Sequence, residues 1–173
     1  MNAFFLRDDQ TDWDDVALIS GSVGVPVTRV GIQIGANQRV RFDVPSDAGQ
    51  SAFQDVRCVD ATVFVGFGES LFVIRPLERT WDRIQLEDYF GSLYTPEDFG
   101  LPASSFGVLV ATGSALFSLT NTGTPIWCAR DLAVDGVQVL DVRDGLIFGS
   151  AELDPPGGWQ PFVLSLITGE RQG

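Results

Sequence analysis

Carboxylates set beside aromatic rings are the combination in this chain with the most chemical potential. Residues Tyr89–Ser105 carry Tyr89, Phe90, Tyr94 and Phe99 together with Glu97 and Asp98, and Ala151–Gln160 carries Glu152, Asp154 and Trp159. Paired carboxylates beside aromatic platforms are what glycoside binding or hydrolysis uses. The same mixture suits a protein-binding surface, because Tyr and Trp anchor interfaces and carboxylates attract cations. Spacing alone brings no two of these acids together, so no catalytic residue is assigned. A further acidic group, Asp8, Asp9, Asp12, Asp14 and Asp15, could offer oxygen ligands to Ca²⁺ or Mg²⁺. It lacks the glycine and terminal glutamate of an EF-hand loop and reads as a solvated acidic turn.

The missing residue types narrow the chemistry. Histidine is absent, which removes His-based triads, imidazole acid–base catalysis and the usual zinc sites. Cys58 and Cys128 are the two cysteines, in no metal-type spacing and each within or beside an apolar run. They read as buried free thiols of a reducing compartment, with a single disulfide as the alternative. No metal and no cofactor is expected.

All 11 basic residues are arginines, and they face 23 acidic ones for a net charge of −12. A chain this acidic repels nucleic acid and anionic lipid, and it is steered towards basic partners. With 45% hydrophobic residues it can build a core, yet no apolar run approaches the roughly 18 residues of a membrane span. The opening Met1-Asn2-Ala3-Phe4-Phe5-Leu6-Arg7 does not read as a secretory signal. A bacterial cytoplasmic protein is the expectation, with a basic protein as partner, no nucleic acid and no membrane.

These residues must be held by strands. Its 19 glycines and nine prolines interrupt any helical period, leaving short Val/Ile/Phe/Leu runs between turn residues. Predicted strands are Val16–Ser20, Val27–Ile34, Arg39–Val44, Thr62–Gly66, Leu71–Arg75, Trp81–Leu86, Gly107–Ala111, Ala115–Leu119, Pro125–Arg130, Val137–Val142, Leu146–Ser150 and Pro161–Leu166. The length of 173 residues suggests one domain spanning 1–173, with two small ones as the alternative.

The chain also resembles itself. Val63-Phe64-Val65-Gly66-Phe67-Gly68-Glu69-Ser70-Leu71-Phe72 aligns with Val108-Leu109-Val110-Ala111-Thr112-Gly113-Ser114-Ala115-Leu116-Phe117, and each copy runs on to a tryptophan, Trp81 or Trp127. Thr122-Gly123 recurs as Thr168-Gly169. A period of about 45 residues, each unit a small β-meander, marks propeller blades. The predicted fold is therefore all-β, about four meander repeats in a propeller-like arrangement, with a β-sandwich as the alternative.

Phe117-Ser118-Leu119-Thr120-Asn121-Thr122-Gly123-Thr124-Pro125-Ile126-Trp127 resembles the repeat of the PQQ-like (quinoprotein-like) propellers, in which an aromatic and a Leu lead through a polar turn ending in Gly to a Trp. Phe162-Val163-Leu164-Ser165-Leu166-Ile167-Thr168-Gly169-Glu170 resembles a second copy, and Leu71–Trp81 a looser third. The resemblance implies a fold and no activity, since nothing here supplies the quinone pocket of the longer enzymes.

On a meander topology the long Tyr89–Ser105 and Ala151–Gln160 segments are loops sharing one face, opposite the Thr120–Gly123 turn. The last repeat stops after its turn, so the N-terminal runs Ala3–Leu6 or Val16–Ile19 are expected to complete its sheet. A non-enzymatic interaction protein follows, in its sharpest form an inhibitor or immunity-type protein for a basic partner. The alternatives are a carboxylate-based carbohydrate-active enzyme or carbohydrate binder, and a half-propeller that closes by oligomerising.

Overall fold

A computed structural model describes residues 1–13, 16–19, 26–48, 52–153 and 158–172. Asp14, Asp15, Ser20 and Asp154, which figure in the sequence reading, lie outside the described residues. The regular elements are strands, joined by turns and a few 3-10 turns. Among the described residues no helix is long and apolar enough to cross a membrane.

Two compact units divide the chain, Met1–Gln85 and Leu86–Gly173. The first unit holds β1 (Asn2–Phe5), β2 (Ala17–Ile19), β3 (Thr28–Gln33) and β4 (Arg39–Val44) in the order β1-β3-β4-β2. Here β2 runs parallel to β4 and the other neighbours are antiparallel. The second sheet of this unit is a plain meander, β5 (Gln54–Val59), β6 (Thr62–Phe67), β7 (Ser70–Arg75) and β8 (Thr80–Gln85). Phe42 of β4 meets Phe72 of β7 and Trp81 of β8, and Val30, Ile32, Val40, Val65 and Ile74 surround them in one buried core.

The second unit contains a second four-stranded meander, β9 (Phe90–Tyr94), β10 (Val108–Thr112), β11 (Leu116–Leu119) and β12 (Pro125–Ala129). A three-stranded meander follows, β13 (Val137–Arg143), β14 (Leu146–Glu152) and β15 (Trp159–Ser165). Period-2 alternation sets its inner face. Val137, Val139, Ile147, Ala151, Phe162 and Leu164 turn inward onto Leu109, Ala111 and Leu116, forming this unit's own core. Trp127 of β12 donates its indole N–H to the Leu166 carbonyl at 3.0 Å, tying the two sheets of this unit together.

The expected pairing of Ala3–Leu6 or Val16–Ile19 with Pro161–Leu166 is corrected: β1 and β2 both pair inside the first unit, β2 with β4. Strand β1 pairs with β3, from Asn2 opposite Gln33 to Phe5 opposite Val30. Its alternation points Ala3 and Phe5 into the first unit's core, and that burial fixes its place. At the outer edge of β15 the chain meets its own last residues instead. Leu164 bridges to Arg171, and the Gln172 N–H reaches the Val163 carbonyl at 2.9 Å.

Candidate functional site

Strand β9 divides the aromatic and acidic residues of the Tyr89–Ser105 segment between its two ends. The sequence predicted a long loop here; the structure has a strand followed by a short 3-10 turn, Pro96–Phe99. Five residues at about 3.3 Å each separate the two ends by roughly 16 Å. Phe90 is fully buried and is core, not surface. Beyond the far end, the Asp98 carboxylate accepts from the Thr95 N–H at 2.7 Å and the Thr95 hydroxyl at 3.1 Å, closing a capping box. Tyr94 stacks on Phe99 at 6.0 Å, Phe99 lies 6.3 Å from Phe106, and the Tyr94 hydroxyl accepts from the Val139 N–H at 3.2 Å. These rings act as packing between the sheets, while Glu97 remains exposed.

Because β9 and β10 are antiparallel, with Tyr94 opposite Leu109, this far end is also the end of the Thr120–Thr124 turn. The Ala151–Gln160 segment, by contrast, belongs to the Tyr89 end. Its two ends are strand, because β14 runs to Glu152, β15 starts at Trp159, and these two are cross-strand partners. The single shared face expected for both segments is therefore corrected: only Tyr89 joins Glu152 and Trp159. Glu97 and Asp98 are a strand's length away, too far to form the roughly 5–9.5 Å carboxylate pair of a glycosidase with Glu152.

At that end the connection from β12 to β13 knits the site together. The Val134 N–H donates to the Glu152 carbonyl at 2.7 Å, and the Glu152 N–H returns to the Gly136 carbonyl at 2.9 Å. Leu153 closes against Gly158 at 3.1 Å. Gly136, Glu152 and Trp159 thus form one row across the outer face of the sheet, and the Trp159 indole lies over Gly136. A Cβ at residue 136 would sit 3.1 Å from that ring, so the absence of a side chain leaves the ring its room there. Next to it, the Tyr89 hydroxyl donates to Asp135, 2.7 Å from the carbonyl oxygen and 3.0 Å from the carboxylate.

Desolvation pushes the Tyr89 phenol up to about 12, helped by its bond to Asp135 and by the charges of Asp135, Asp88 and Glu152. The phenol is a fixed donor that adds no charge. In a spectrophotometric titration compared with Tyr89→Phe, the Tyr89 phenolate should form only near pH 12, not at the ordinary 10.0. Folding favours the neutral form, so the stability linked to this group is complete below pH 10.0 and is lost as pH rises towards about 12. Ionisation at the ordinary value would disprove the bond to Asp135.

Asp135 is not among the residues the sequence singles out, yet it meets a tyrosine 46 residues away, a pairing no local spacing could announce. Nearby, Arg130 holds Glu87 through contacts of 2.8–3.0 Å, lowering the Glu87 pKa and raising its own. In the N-terminal acidic group, Asp12 is bound by Arg39 at 3.1 Å, and the Arg39 guanidinium lies over the Trp13 ring. Among the described residues no three His, Cys, Asp or Glu side chains converge to hold a metal ion. Cys58 and Cys128 are free, half-buried thiols whose pKa values burial raises. No protein-family model matches the chain, and no characterised protein matches it in sequence.

Proposed function

We propose that this chain is a non-enzymatic interaction protein that captures a basic protein, an inhibitor or immunity-type role being its sharpest form. The observation that carries this reading is the disposition of charge. Against 23 acidic residues stand 11 arginines, and at least seven of these already face a carboxylate of the chain: Arg39, Arg41, Arg57, Arg75, Arg83, Arg130 and Arg143. What solvent meets is a carboxylate surplus, which accelerates encounter with a cationic partner.

The scaffold for this role is a set of propeller-like repeats. In support, the matching segments Val63–Phe72 and Val108–Phe117 cover the second and third strands of successive four-stranded meanders, and the paired tryptophans fall on the fourth, Trp81 in β8 and Trp127 in β12. Partners captured from the host at low salt should be basic. Their association rate should fall at least about tenfold between roughly 50 and 500 mM salt, with dissociation changing far less. An acidic partner, or an association rate indifferent to salt, would sink the proposal.

A further inference from the structure

We infer that the exposed patch of Val134, Leu153 and Trp159 docks an arginine-bearing segment of the basic partner, with the guanidinium lying on the Trp159 indole beside Asp135. This rests on the reading of the chain as an acidic interaction protein and names its contact surface. Val134 is 63% exposed, Leu153 47% and Trp159 37%. All three are gathered around the Glu152 backbone, to which Val134 is hydrogen-bonded, Leu153 is adjacent and Trp159 is cross-strand partner. An indole with apolar neighbours at the rim of a rigid sheet is the composition of an interface anchor.

Charge selects the occupant. Asp135, next to Val134 in the chain, is exposed, and Arg130, the nearest cation along the chain, is committed to Glu87 at 2.8 Å. A cationic side chain fits this rim and an anionic one is repelled. Between the two cations, guanidinium is planar, weakly hydrated and stacks on rings, whereas ammonium is compact and strongly hydrated. The chain uses the same arrangement internally. Arg39 lies 4.8 Å over Trp13 and pairs with Asp12 at 3.1 Å, making a ring, a guanidinium and an aspartate into one unit. Trp159 and Asp135 present the ring and the aspartate of such a unit, held together at Gly136.

The test uses fluorescence anisotropy with labelled hexa-arginine and hexa-lysine peptides on the whole chain at low salt. Hexa-arginine should bind about five- to tenfold more tightly than hexa-lysine. Trp159→Ala should erase that preference while leaving weaker, salt-sensitive binding of both peptides, and Asp135→Asn should weaken both. Indole emission should shift on adding hexa-arginine, and the shift should vanish in Trp159→Phe, which keeps a ring to pack over Gly136. Equal affinity for the two peptides, a preference that survives Trp159→Ala, or an emission shift retained in Trp159→Phe would overturn the arginine site alone. Failure of both peptides to bind, or binding indifferent to salt, would overturn the acidic-interaction reading beneath it.

Discussion

Phe42→Ala should lower the free energy of unfolding of the first unit by about 3–5 kcal/mol. Phe42 has no exposed surface, and its ring lies 5.4 Å from Phe72 and 5.5 Å from Trp81, themselves 5.9 Å apart. Removing one ring of this trio deletes its burial and leaves a void. The void cannot close easily. Strand β4 is hydrogen-bonded on both sides, to β3 and β2, and β7 to both β6 and β8. Neither backbone can move inward without breaking rungs, and the remaining rings lose contact on one side. Urea denaturation of the variant measures the effect. Leu140→Ala, at a side chain 63% exposed, is the control and should change stability by less than about 0.5 kcal/mol. A Phe42→Ala protein as stable as the control would mean that the trio is not the centre of this core.

The existence of most strands was legible because their residues say so directly. Arg39–Val44 is bounded as predicted, and the Val/Ile/Phe runs at Thr62–Gly66, Leu71–Arg75 and Gly107–Ala111 each fall on a strand. The strands that escaped have physical reasons. In β5, Asp55 and Arg57 face each other at 3.4 Å on one side while Val56 and Cys58 pack on the core. This is a period-2 pattern hidden by its low apolar content. In β9, Gly91 and Ser92 look like loop. Gly91 instead serves close packing, since a Cβ there would lie 3.1 Å from the Ala111 carbonyl oxygen, beside the irregularity in the β9–β10 ladder.

Partnership between strands was not legible, and with it much of the candidate site. Nothing in Val16–Ile19 announces a parallel pairing with β4. Trp159 and Glu152 stand in one segment of the sequence, yet they meet as a cross-strand pair, because β14 and β15 extend through residues that read as turn. Tyr89 and Asp135 meet through two sheets, and Glu97 and Asp98 were lost from the group because an unseen strand carried them to the other end.

The same gap between residue type and partnership decides what truncation should do. Deleting residues 1–7 should destabilise the first unit by roughly 3–5 kcal/mol, through contacts within that unit. Strand β1 lays alternate side chains on its two faces. Ala3 and Phe5 pack on the core that holds Val30 and Ile32. On the opposite face Phe4 meets Trp13 edge-on at 5.6 Å, and Leu6 and Trp13 both lie over Gly31, which has no side chain to displace them. Phe4, Phe5 and Leu6 are each half-buried, so each contributes about 1 kcal/mol, half the value for full burial. The rungs from Asn2–Gln33 to Phe5–Val30, extended by the Leu6 N–H to the Arg29 carbonyl at 2.8 Å, add the remainder and leave the β3 edge bare when they go. Hydrogen exchange locates the effect, because the β3 amides that face β1 should lose protection together with the core amides of the first unit. Thermal melting gives its size. A truncated protein that melts with the intact one, or that keeps β3 protected, would show that the strand is dispensable to the core it covers.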